Sequence, residues 1–260
     1  MVQQELFAQS DAYERFMGRW SRQIAPQLVK VAAVGPNDSV LDIGSGTGAL
    51  AFAVAEAAPS GRVTGVDPSS AYVRFAQSRA STDRIRFVVG DAQALEFSGA
   101  SFDRTLSLLV MSFIPDPTKA LREMIRVTRP GGVVAAAVWD YGDGMQMLRT
   151  FWDSAVALDS DAAPRDERNM PLSTRGSLAE LWRTHGLQDV DEQALTIEMP
   201  FASFDDYWQP FLRGQGPAGV YTAGLAESAR HALESRLREH LGDTAFTLEA
   251  RAWTVRGGVT

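Results

Sequence analysis

An acidic residue and a run of alternating glycines stand together in the segment VLDIGSGTGAL, residues 40–50. Asp42 lies in a short apolar run that predicts a buried strand, and Gly44, Gly46 and Gly48 follow before a helical pattern begins. A glycine-rich turn between a strand and a helix lets the backbone approach a ligand closely and points the first N–H groups of the helix at it. An acid ahead of these glycines suits a ligand that carries an ammonium group better than it suits a diphosphate. The segment therefore predicts a ligand-binding loop.

Two more aspartates close the next two predicted strands. Asp67 ends the second strand, where its two carboxylate oxygens can accept hydrogen bonds from both hydroxyls of a ribose. Asp91 ends the third strand and can accept a hydrogen bond from an exocyclic amine such as that of adenine. Taken singly, Asp67 could belong to a turn or a helix cap, and Asp91 to an Asx-turn. Because doubly wound sheets bind ligands at the edge where their strands end, the three acids together predict one nucleoside-type site.

The elements around these residues alternate between strands and helices up to about residue 139, which is typical of a mostly parallel sheet covered on both faces. The predicted strands of this half are 39–44, 62–67, 85–91, 102–113 and 132–140. Two further segments, 190–199 and 246–255, alternate apolar and polar residues, and we expect them to pair antiparallel at the sheet edge. The predicted fold class is α/β, a doubly wound, mostly parallel sheet of seven strands.

The composition argues against several other kinds of site. A formal net charge of −7 argues against a nucleic-acid partner, and the absence of cysteine removes disulfides and thiolate metal sites. We expect no metal, because His185 is interpreted as a helix-end capping residue and His231 and His240 as solvent-facing helix residues. No apolar run is long enough to cross a bilayer, and no signal-peptide pattern is visible. We therefore expect a cytoplasmic protein without a membrane partner.

Five motifs taken together resemble a known family. They are VLDIGSGTG, GVDPS, GDAQALEF, FDRTLSLLVMSF and RVTRPGG. With them the chain resembles the class I S-adenosylmethionine-dependent methyltransferases, in the branch that includes quinone-biosynthesis and natural-product enzymes. The resemblance covers about residues 13–140 and implies a Rossmann-like methyltransferase fold in which the strand order reverses between the first and fourth strands. It also implies S-adenosylmethionine as the cofactor and S-adenosylhomocysteine as the product.

The resemblance further implies which residues bind the cofactor. In chain order they are Asp42, Gly44, Ser45, Gly46, Asp67, Pro68, Asp91, Ala92, Gln93 and Leu108. Asp67 would hold the ribose, Asp91 would face the adenine, and Leu108 would offer its carbonyl to the methionine amino group. Tyr13 and Trp20, on an amphipathic N-terminal helix, are expected to fold over the cofactor, where an aromatic ring is attracted to a sulfonium.

The rest of the chain is expected to build the acceptor side. We divide the chain into a helical lid, 1–37, a cofactor-binding core, 38–140, and a last part, 141–260, with helical cap insertions around 141–176 and 201–243. The residues expected to line the acceptor pocket are Trp139, Tyr141, Met145, Trp152, Tyr207, Trp208 and Phe211. Ordinary packing of a helical cap is the alternative for each of them. Together they predict an apolar or aromatic acceptor pocket. With the cofactor that the resemblance implies, the expected function is methyl transfer by direct in-line displacement to a small, largely apolar or aromatic metabolite.

Two other functions stay open from the sequence. An NAD(P)-dependent oxidoreductase could use the same fold, although Asp42 and the G-x-G-x-G spacing count against a dinucleotide. A protein that binds S-adenosylmethionine without transferring its methyl group is the second, because a fold alone does not decide activity. The sequence assigns no general base and no acceptor atom. The chain is expected to act as a monomer or a homodimer.

Overall fold

Seven β-strands make up one sheet in the computed structural model, which describes residues 10–260. In chain order they are β1 Ser39–Ile43, β2 Arg62–Asp67, β3 Ile85–Val89, β4 Phe102–Leu108, β5 Thr128–Trp139, β6 Gln188–Phe201 and β7 Phe246–Gly258. Their order across the sheet is β3-β2-β1-β4-β5-β7-β6. β1 pairs in parallel with both β2 and β4, so the order reverses between β1 and β4. The predicted seven-stranded sheet and its reversal are confirmed.

The last two strands form the antiparallel part of the sheet. β7 pairs antiparallel with β5, from Val133 opposite Gly258 to Trp139 opposite Ala252. Its other edge pairs antiparallel with β6, which forms one margin of the sheet. The predicted antiparallel pairing is confirmed, with β7 lying inside the sheet between β5 and β6.

β4 and β5 depart most from the predicted strand ends, and β3 ends at Val89, so that Asp91 follows this strand by two residues instead of ending it. β4 ends at Leu108 instead of continuing to Phe113, because the chain turns away from the sheet after it. β5 begins at Thr128, before the predicted start at residue 132. The register between β4 and β5 shifts after the pair Phe102–Thr128, and this bulge accommodates Pro130 within the strand.

Within residues 10–260, ten α-helices connect and flank the strands. They are α1 Ser10–Tyr13, α2 Arg19–Val31, α3 Ala49–Ala57, α4 Ser70–Arg79, α5 Pro117–Val127, α6 Gln146–Leu158, α7 Ser177–Thr184, α8 Phe204–Trp208, α9 Gly216–Gly224 and α10 Glu227–Leu241. A π-helix, Glu14–Gly18, joins α1 to α2. Right-handed crossovers place α3 and α4 on one face of the sheet and α5 on the other, since the strand order reverses between them. Within residues 10–260, no helix combines the length and apolar character needed to cross a bilayer.

Local sequence signals explain where several helices begin and end. The Ser69 hydroxyl accepts a hydrogen bond from the Tyr72 N–H and so caps the start of α4. Asp116 caps α5 in the same way, and Pro117 follows at the first helical position. At the end of α7, Nδ1 of His185 donates to the Leu181 carbonyl at 2.8 Å. His185 therefore has the capping role predicted for it.

The hydrophobic core has two regions. One lies around the sheet, where the side chains of β5 from Val133 to Trp139 are buried on both faces. The other lies in the last part of the chain, where aromatic rings from α6, α8 and the turn Phe211–Arg213 pack together. The division of the chain into lid, core and cap stays a prediction, and residues 1–9 of the lid lie outside the described residues.

Candidate functional site

A cavity of about 420 Å³ lies at the carboxyl ends of the parallel strands. Its wall is built by residues that follow or end β1 to β5 and by the N-terminal helical segment. Doubly wound sheets bind ligands at this edge, next to the point where the strand order reverses. Of the residues predicted to bind the cofactor, those in the cavity wall are Tyr13, Gly44, Gly46, Asp67, Pro68, Asp91, Ala92, Gln93 and Leu108.

The turn between β1 and α3 requires glycine at three alternate positions. Gly44, Gly46 and Gly48 have φ angles of +69°, +51° and +95°, which residues with a side chain rarely adopt. A Cβ atom on Gly44 would lie 2.5 Å from the Val110 side chain, whereas one on Gly46 would meet no heavy atom closer than 4.0 Å. The Gly44 N–H donates to the Val66 carbonyl at 2.8 Å, which ties the turn to β2. The turn thus presents backbone without side chains to the cavity.

Asp67 ends β2, and backbone donors fix both of its carboxylate oxygens. The Gly46 N–H donates to Oδ2 at 2.9 Å, and the Ser69 N–H donates to Oδ1 at 2.8 Å. Burial raises the pKa of this carboxyl above its ordinary value, and the two N–H donors offset part of that rise. Each oxygen keeps a lone pair for a further donor. Asp67 can therefore accept hydrogen bonds from a pair of ligand hydroxyls while it holds the glycine turn.

Asp42 lies in β1 just before the glycine turn and is not part of the cavity wall. Only 1% of the residue is exposed, and neither carboxylate oxygen accepts a hydrogen bond from a described residue. Burial, and after it the negative charge of Asp67, raises the pKa of Asp42 to about 8, whereas the backbone N–H of Ala51 favours the carboxylate. A buried carboxylate with so little compensation is unfavourable until a positive charge approaches it. The structure thus places Asp42 behind the cavity wall, and its binding of the cofactor stays a prediction.

Asp91 and Gln93 form a hydrogen-bonded pair at the edge of the cavity. The backbone N–H and the Nε2 group of Gln93 both donate to Oδ1 of Asp91, at 2.8 and 3.0 Å. The Gln93 Oε1 atom accepts a hydrogen bond from the Asp116 N–H at 3.1 Å, which connects the pair to the start of α5. The Asx-type turn considered for Asp91 is therefore present, and Asp91 also belongs to the cavity wall.

The segment after β4 supplies cavity residues that the sequence analysis did not assign to the site. Leu109 has a φ angle of +63°, a strained conformation for a residue with a bulky side chain, and its N–H donates to the Ala137 carbonyl at 2.7 Å. The turn ends β4 and brings Val110, Phe113 and Ile114 into the cavity wall. The residue type gives no signal for this turn, because leucine has no preference for a positive φ.

The N-terminal segment covers one side of the cavity. Tyr13 lines the cavity together with Phe16 and Met17 of the π-helix, and its ring packs against Tyr72 with 5.6 Å between centroids. The hydroxyl groups of Tyr13 and Ser21 lie 3.4 Å apart. Burial raises the pKa of Tyr13 and of Tyr72, so both phenols remain protonated at neutral pH.

Trp20 and Ser45 are the other predicted cofactor residues that the structure does not bring to the cavity wall. Trp20 is buried in the core, where its ring lies 5.4 Å from that of Phe201 and the Arg19 guanidinium lies 4.2 Å above it. The π-helix inserts an extra residue into the turn before α2 and so rotates the residues that follow. An amphipathic sequence pattern that is treated as one continuous α-helix does not reveal this rotation. For this reason the sequence analysis placed Trp20, and not Phe16, over the cofactor.

The predicted acceptor-pocket residues divide into two groups. Trp139 and Tyr141, at and after the end of β5, line the cavity. The others lie in the core of the last part of the chain and not in the cavity wall; they are Met145, Trp152, Tyr207, Trp208 and Phe211. The Phe211 ring, for example, stacks on Phe151 at 4.6 Å between centroids. Aromatic residues at helical spacing suit a pocket and a core equally well, and tertiary packing decides between the two.

Glu167 is a cavity residue that the sequence analysis missed. It begins the short 3₁₀-helix Glu167–Asn169, lines the cavity and is only 4% exposed. The indole Nε1 of Trp152 donates to its Oε2 atom at 2.8 Å. Burial raises the pKa of Glu167 to about 7, and the Trp152 N–H and the charge of Arg149 limit the rise. The polar, turn-rich segment SDAAPRDERNMP gave no signal that one of its acids is buried.

A second, wider groove of about 670 Å³ lies between α6, α10 and the start of β7. Its lining mixes both signs of charge, with Arg149, Asp153, Arg236 and Glu239 among its residues. It lacks the glycine turn and the strand-end acids of the first cavity. Among residues 10–260, His, Asp and Glu side chains do not gather in threes as metal ligands would.

The sequence of the chain is similar to those of known methyltransferases. A family described as a methyltransferase domain matches residues 40–132, which contain the glycine turn and the strand-end acids. The 2-methyl-6-phytyl-1,4-hydroquinone methyltransferase of Synechocystis is 30% identical over 203 residues, 75% of this chain and 61% of that enzyme. The demethylmenaquinone methyltransferase of Roseiflexus castenholzii is 33% identical over 175 residues, 62% of this chain and 73% of that enzyme. The chain thus spans less than two thirds of the length of the Synechocystis enzyme and nearly three quarters of the length of the Roseiflexus enzyme.

A solved structure shows the same fold over nearly the whole chain. Phosphoethanolamine N-methyltransferase 2 of Haemonchus contortus, solved with phosphomonomethylethanolamine and S-adenosylhomocysteine, superposes with a TM-score of 0.62 at 19% identity. The match covers 99% of this chain and 58% of that one. At this identity the likeness shows the fold alone.

Proposed function

The chain belongs to the class I S-adenosylmethionine-dependent methyltransferases, and we propose that it transfers the cofactor's methyl group to a small, largely apolar or aromatic metabolite. One observation carries the proposal. The strand-end acids Asp67 and Asp91 line the same cavity as apolar and aromatic side chains, among them Met17, Phe113 and Trp139. A polar site for a nucleoside and an apolar site for an acceptor therefore lie in the same cavity.

The residues at the polar end fit S-adenosylmethionine. Gly44 and Gly46 leave a side-chain-free backbone surface in the cavity wall, and Asp67 keeps lone pairs for the ribose hydroxyls. Asp91 and the neighbouring Ala92 and Gln93 would hold the adenine. The unpartnered charge of Asp42 suits the positive charges of the ligand. When bound there, the cofactor supplies a methyl group activated on a positively charged sulfur.

The acceptor end favours an apolar, ring-bearing molecule. Phe16 and Met17 from the π-helix, Phe113 after β4, and Trp139 and Tyr141 after β5 contribute to the wall. Such a wall excludes water and orients a flat acceptor against the reactive methyl group. Two of the relatives are named for hydroquinone and menaquinone-type acceptors, which are aromatic and apolar. The wall supports an acceptor of that class without identifying it.

Calorimetric titration with S-adenosylhomocysteine tests the cofactor half of the proposal. We expect micromolar binding to the wild-type protein, and Asp67→Ala should weaken it by about 1 to 3 kcal/mol, the scale of lost charge-assisted hydrogen bonds. Asp83→Ala removes an exposed acid from the turn before β3 and is the matched control, expected to bind as the wild type does. Micromolar binding of NAD together with no binding of S-adenosylhomocysteine would overturn the proposal.

A methyl-acceptor screen tests the transfer half. Phenols, hydroquinones, amines and carboxylic acids are incubated with S-adenosylmethionine, and the release of S-adenosylhomocysteine is measured with and without protein. We expect turnover with apolar aromatic acceptors. A protein that binds S-adenosylhomocysteine but methylates no compound of the panel would instead be a cofactor-binding protein without transfer activity.

A further inference from the structure

Glu167 and Asp67 are the two buried acids in the wall of the cavity, but their surroundings differ. Glu167 lines the cavity together with Tyr141 and the first residues of α9, Gly216 and Pro217. Asp67, by contrast, has a backbone N–H on each carboxylate oxygen, and Asp42 lies outside the wall. Glu167 therefore presents a carboxyl group to the acceptor side of the cavity.

The contacts around Glu167 fix its position without neutralising it. Trp152 donates its indole N–H to Oε2 at 2.8 Å, and the backbone N–H of Ala218 also faces the carboxylate; both donors are neutral. The nearby cation, Arg149, pairs with Asp166 instead, through both of its terminal nitrogens. Arg168 donates to the same Asp166 at 2.7 Å. The two arginine charges are thus directed at Asp166, and Glu167 remains able to take up a proton.

The charged and titratable groups that face Glu167 come from three elements. Arg149 of α6 favours the ionised carboxylate, and the adjacent Asp166 opposes it. Tyr141, after β5, is close enough for the charge of Glu167 to raise the pKa of its phenol. From α9 only the backbone N–H of Ala218 faces the carboxylate. Burial is the largest influence, and the pKa of Glu167 reaches about 7, a value suited to proton transfer near neutral pH.

We propose that Glu167 is the general base of the acceptor site and that the acceptor is a hydroxylated aromatic compound of the phenol or hydroquinone class. The inference rests on the proposed methyl transfer. In the transfer step, Glu167 takes the proton of the acceptor hydroxyl while the hydroxyl oxygen bonds the methyl carbon and the carbon–sulfur bond breaks, leaving its electron pair on sulfur. Glu167 then releases the proton to water.

Other cavity groups are poorer candidates for this role. Tyr141 is buried, and its pKa is raised well above the ordinary value, so the phenol stays protonated near neutral pH. Asp91 is exposed and already accepts hydrogen bonds from Gln93. The histidines of the chain are not among the cavity residues. Trp152 acts through Glu167 and is a positioning residue.

A spectroscopic titration tests the assignment without an acceptor. The protonated carboxyl band in the infrared difference spectrum between the wild type and Glu167→Gln, both saturated with S-adenosylhomocysteine, should titrate with a midpoint near pH 7. Trp152→Phe removes the N–H donor that stabilises the carboxylate, so the midpoint should move to higher pH. A midpoint near the ordinary glutamate value of about 4.3, or an unchanged midpoint in Trp152→Phe, would overturn the assignment.

Kinetics with 1,4-naphthohydroquinone, 4-methylphenol and aniline as probe acceptors complete the test. With a hydroxylated probe, kcat should rise with pH to a plateau, with a midpoint near 7, and Glu167→Gln should lose about 100-fold in kcat and the pH dependence. Its KM and its affinity for S-adenosylhomocysteine should stay near the wild-type values. Glu180→Gln, an exposed acid of α7, is the matched control and should behave as the wild type.

The outcomes separate this inference from the proposed function. Transfer by the wild type together with unimpaired Glu167→Gln, or turnover of aniline with neither hydroxylated probe accepted, overturns the role of Glu167 alone. No binding of S-adenosylhomocysteine by the wild type overturns the proposed function and the inference with it. If S-adenosylhomocysteine binds but all three probes are inert, the infrared midpoints decide whether Glu167 can serve as the base.

Discussion

Gly44 and Gly46 belong to one turn, but the structure gives each a different reason to be glycine. Both have positive φ angles, and only Gly44 faces a side chain, that of Val110, at 2.5 Å from a built Cβ. We expect Gly46→Ala to lower the free energy of unfolding by about 1 to 2 kcal/mol, the cost of a left-handed residue. Gly44→Ala should cost about 2 to 5 kcal/mol, because overpacking adds to that strain. Urea unfolding of both variants measures the difference.

A second substitution separates the two contributions at Gly44. Val110→Ala removes the methyl groups that the new Cβ would meet, so Gly44→Ala should be less harmful in that background than in the wild type. The remaining cost should approach that of Gly46→Ala, since only the backbone strain is left. Equal costs of Gly44→Ala in both backgrounds would show that the contact with Val110 is not the cause.

Residues whose role follows from local spacing could be predicted from the sequence, whereas Glu167 could not. Gly44, Gly46, Asp67 and Asp91 stand at fixed places relative to strand ends, and the structure brings all four to one cavity. Glu167 instead owes its burial to contacts with α6, which a local pattern does not contain. A polar segment with several acids resembles an exposed loop whether or not one side chain turns inward.

The π-helix Glu14–Gly18 connects the N-terminal segment to the glycine turn through one side chain. Glu14 accepts a hydrogen bond from the Thr47 hydroxyl and pairs with Arg22, and Arg79 lies 4.0 Å away. Because the same π-helix supplies Phe16 and Met17 to the cavity, these contacts hold part of the cavity wall in place. The segment 10–18 therefore closes over the site by way of Glu14.

Removing the Glu14 side chain should increase the local mobility of the π-helix more than it lowers the stability of the whole protein. We expect Glu14→Ala to increase amide hydrogen exchange in residues 13–18 and to speed dissociation of S-adenosylhomocysteine about five-fold, equivalent to about 1 kcal/mol for a small ion-pair network. Arg15→Ala changes an exposed residue of the same helix and serves as the control. Equal exchange and dissociation rates in the two variants would refute the anchoring role.

The strands show which element boundaries a sequence can predict. β2, bounded by Arg62 and Asp67, has the predicted ends because a turn signal follows it at Pro68. β4 and β5 do not, since β4 ends at the turn with the positive φ of Leu109 and the register of β5 shifts after the pair Phe102–Thr128. The reversal of the strand order between β1 and β4 followed from the family resemblance, and the mostly parallel sheet followed from the alternation of strands and helices; the structure confirms both.

At the scale of the whole molecule, the ionisation of three buried acids at and near the cavity makes the stability of the protein depend on pH. The pKa values of Asp42, Asp67 and Glu167 are raised by burial, so the folded protein binds protons that the unfolded chain releases between about pH 4 and pH 8. The stabilising effect of these protons is complete below the unfolded pKa values and is lost as the pH rises toward the folded values. Without ligand, the free energy of unfolding should therefore fall over this range.

Asp42→Asn isolates one of these contributions, because asparagine fills the same space and carries no charge at any pH. Relative to the variant, the wild type should lose up to about 1.4 kcal/mol per pH unit between pH 4 and the Asp42 pKa of about 8, where the difference levels off. Urea unfolding at pH 5, 6.5 and 8 measures the slope, and parallel curves for the two proteins would refute the charge at Asp42 as its cause.

If the cationic end of the ligand compensates this charge, S-adenosylhomocysteine should stabilise the wild type more than the variant at pH 8. A larger stabilisation of the wild type at pH 8 would show that the ligand compensates the Asp42 charge, which links the chemistry of the cavity to the stability of the fold.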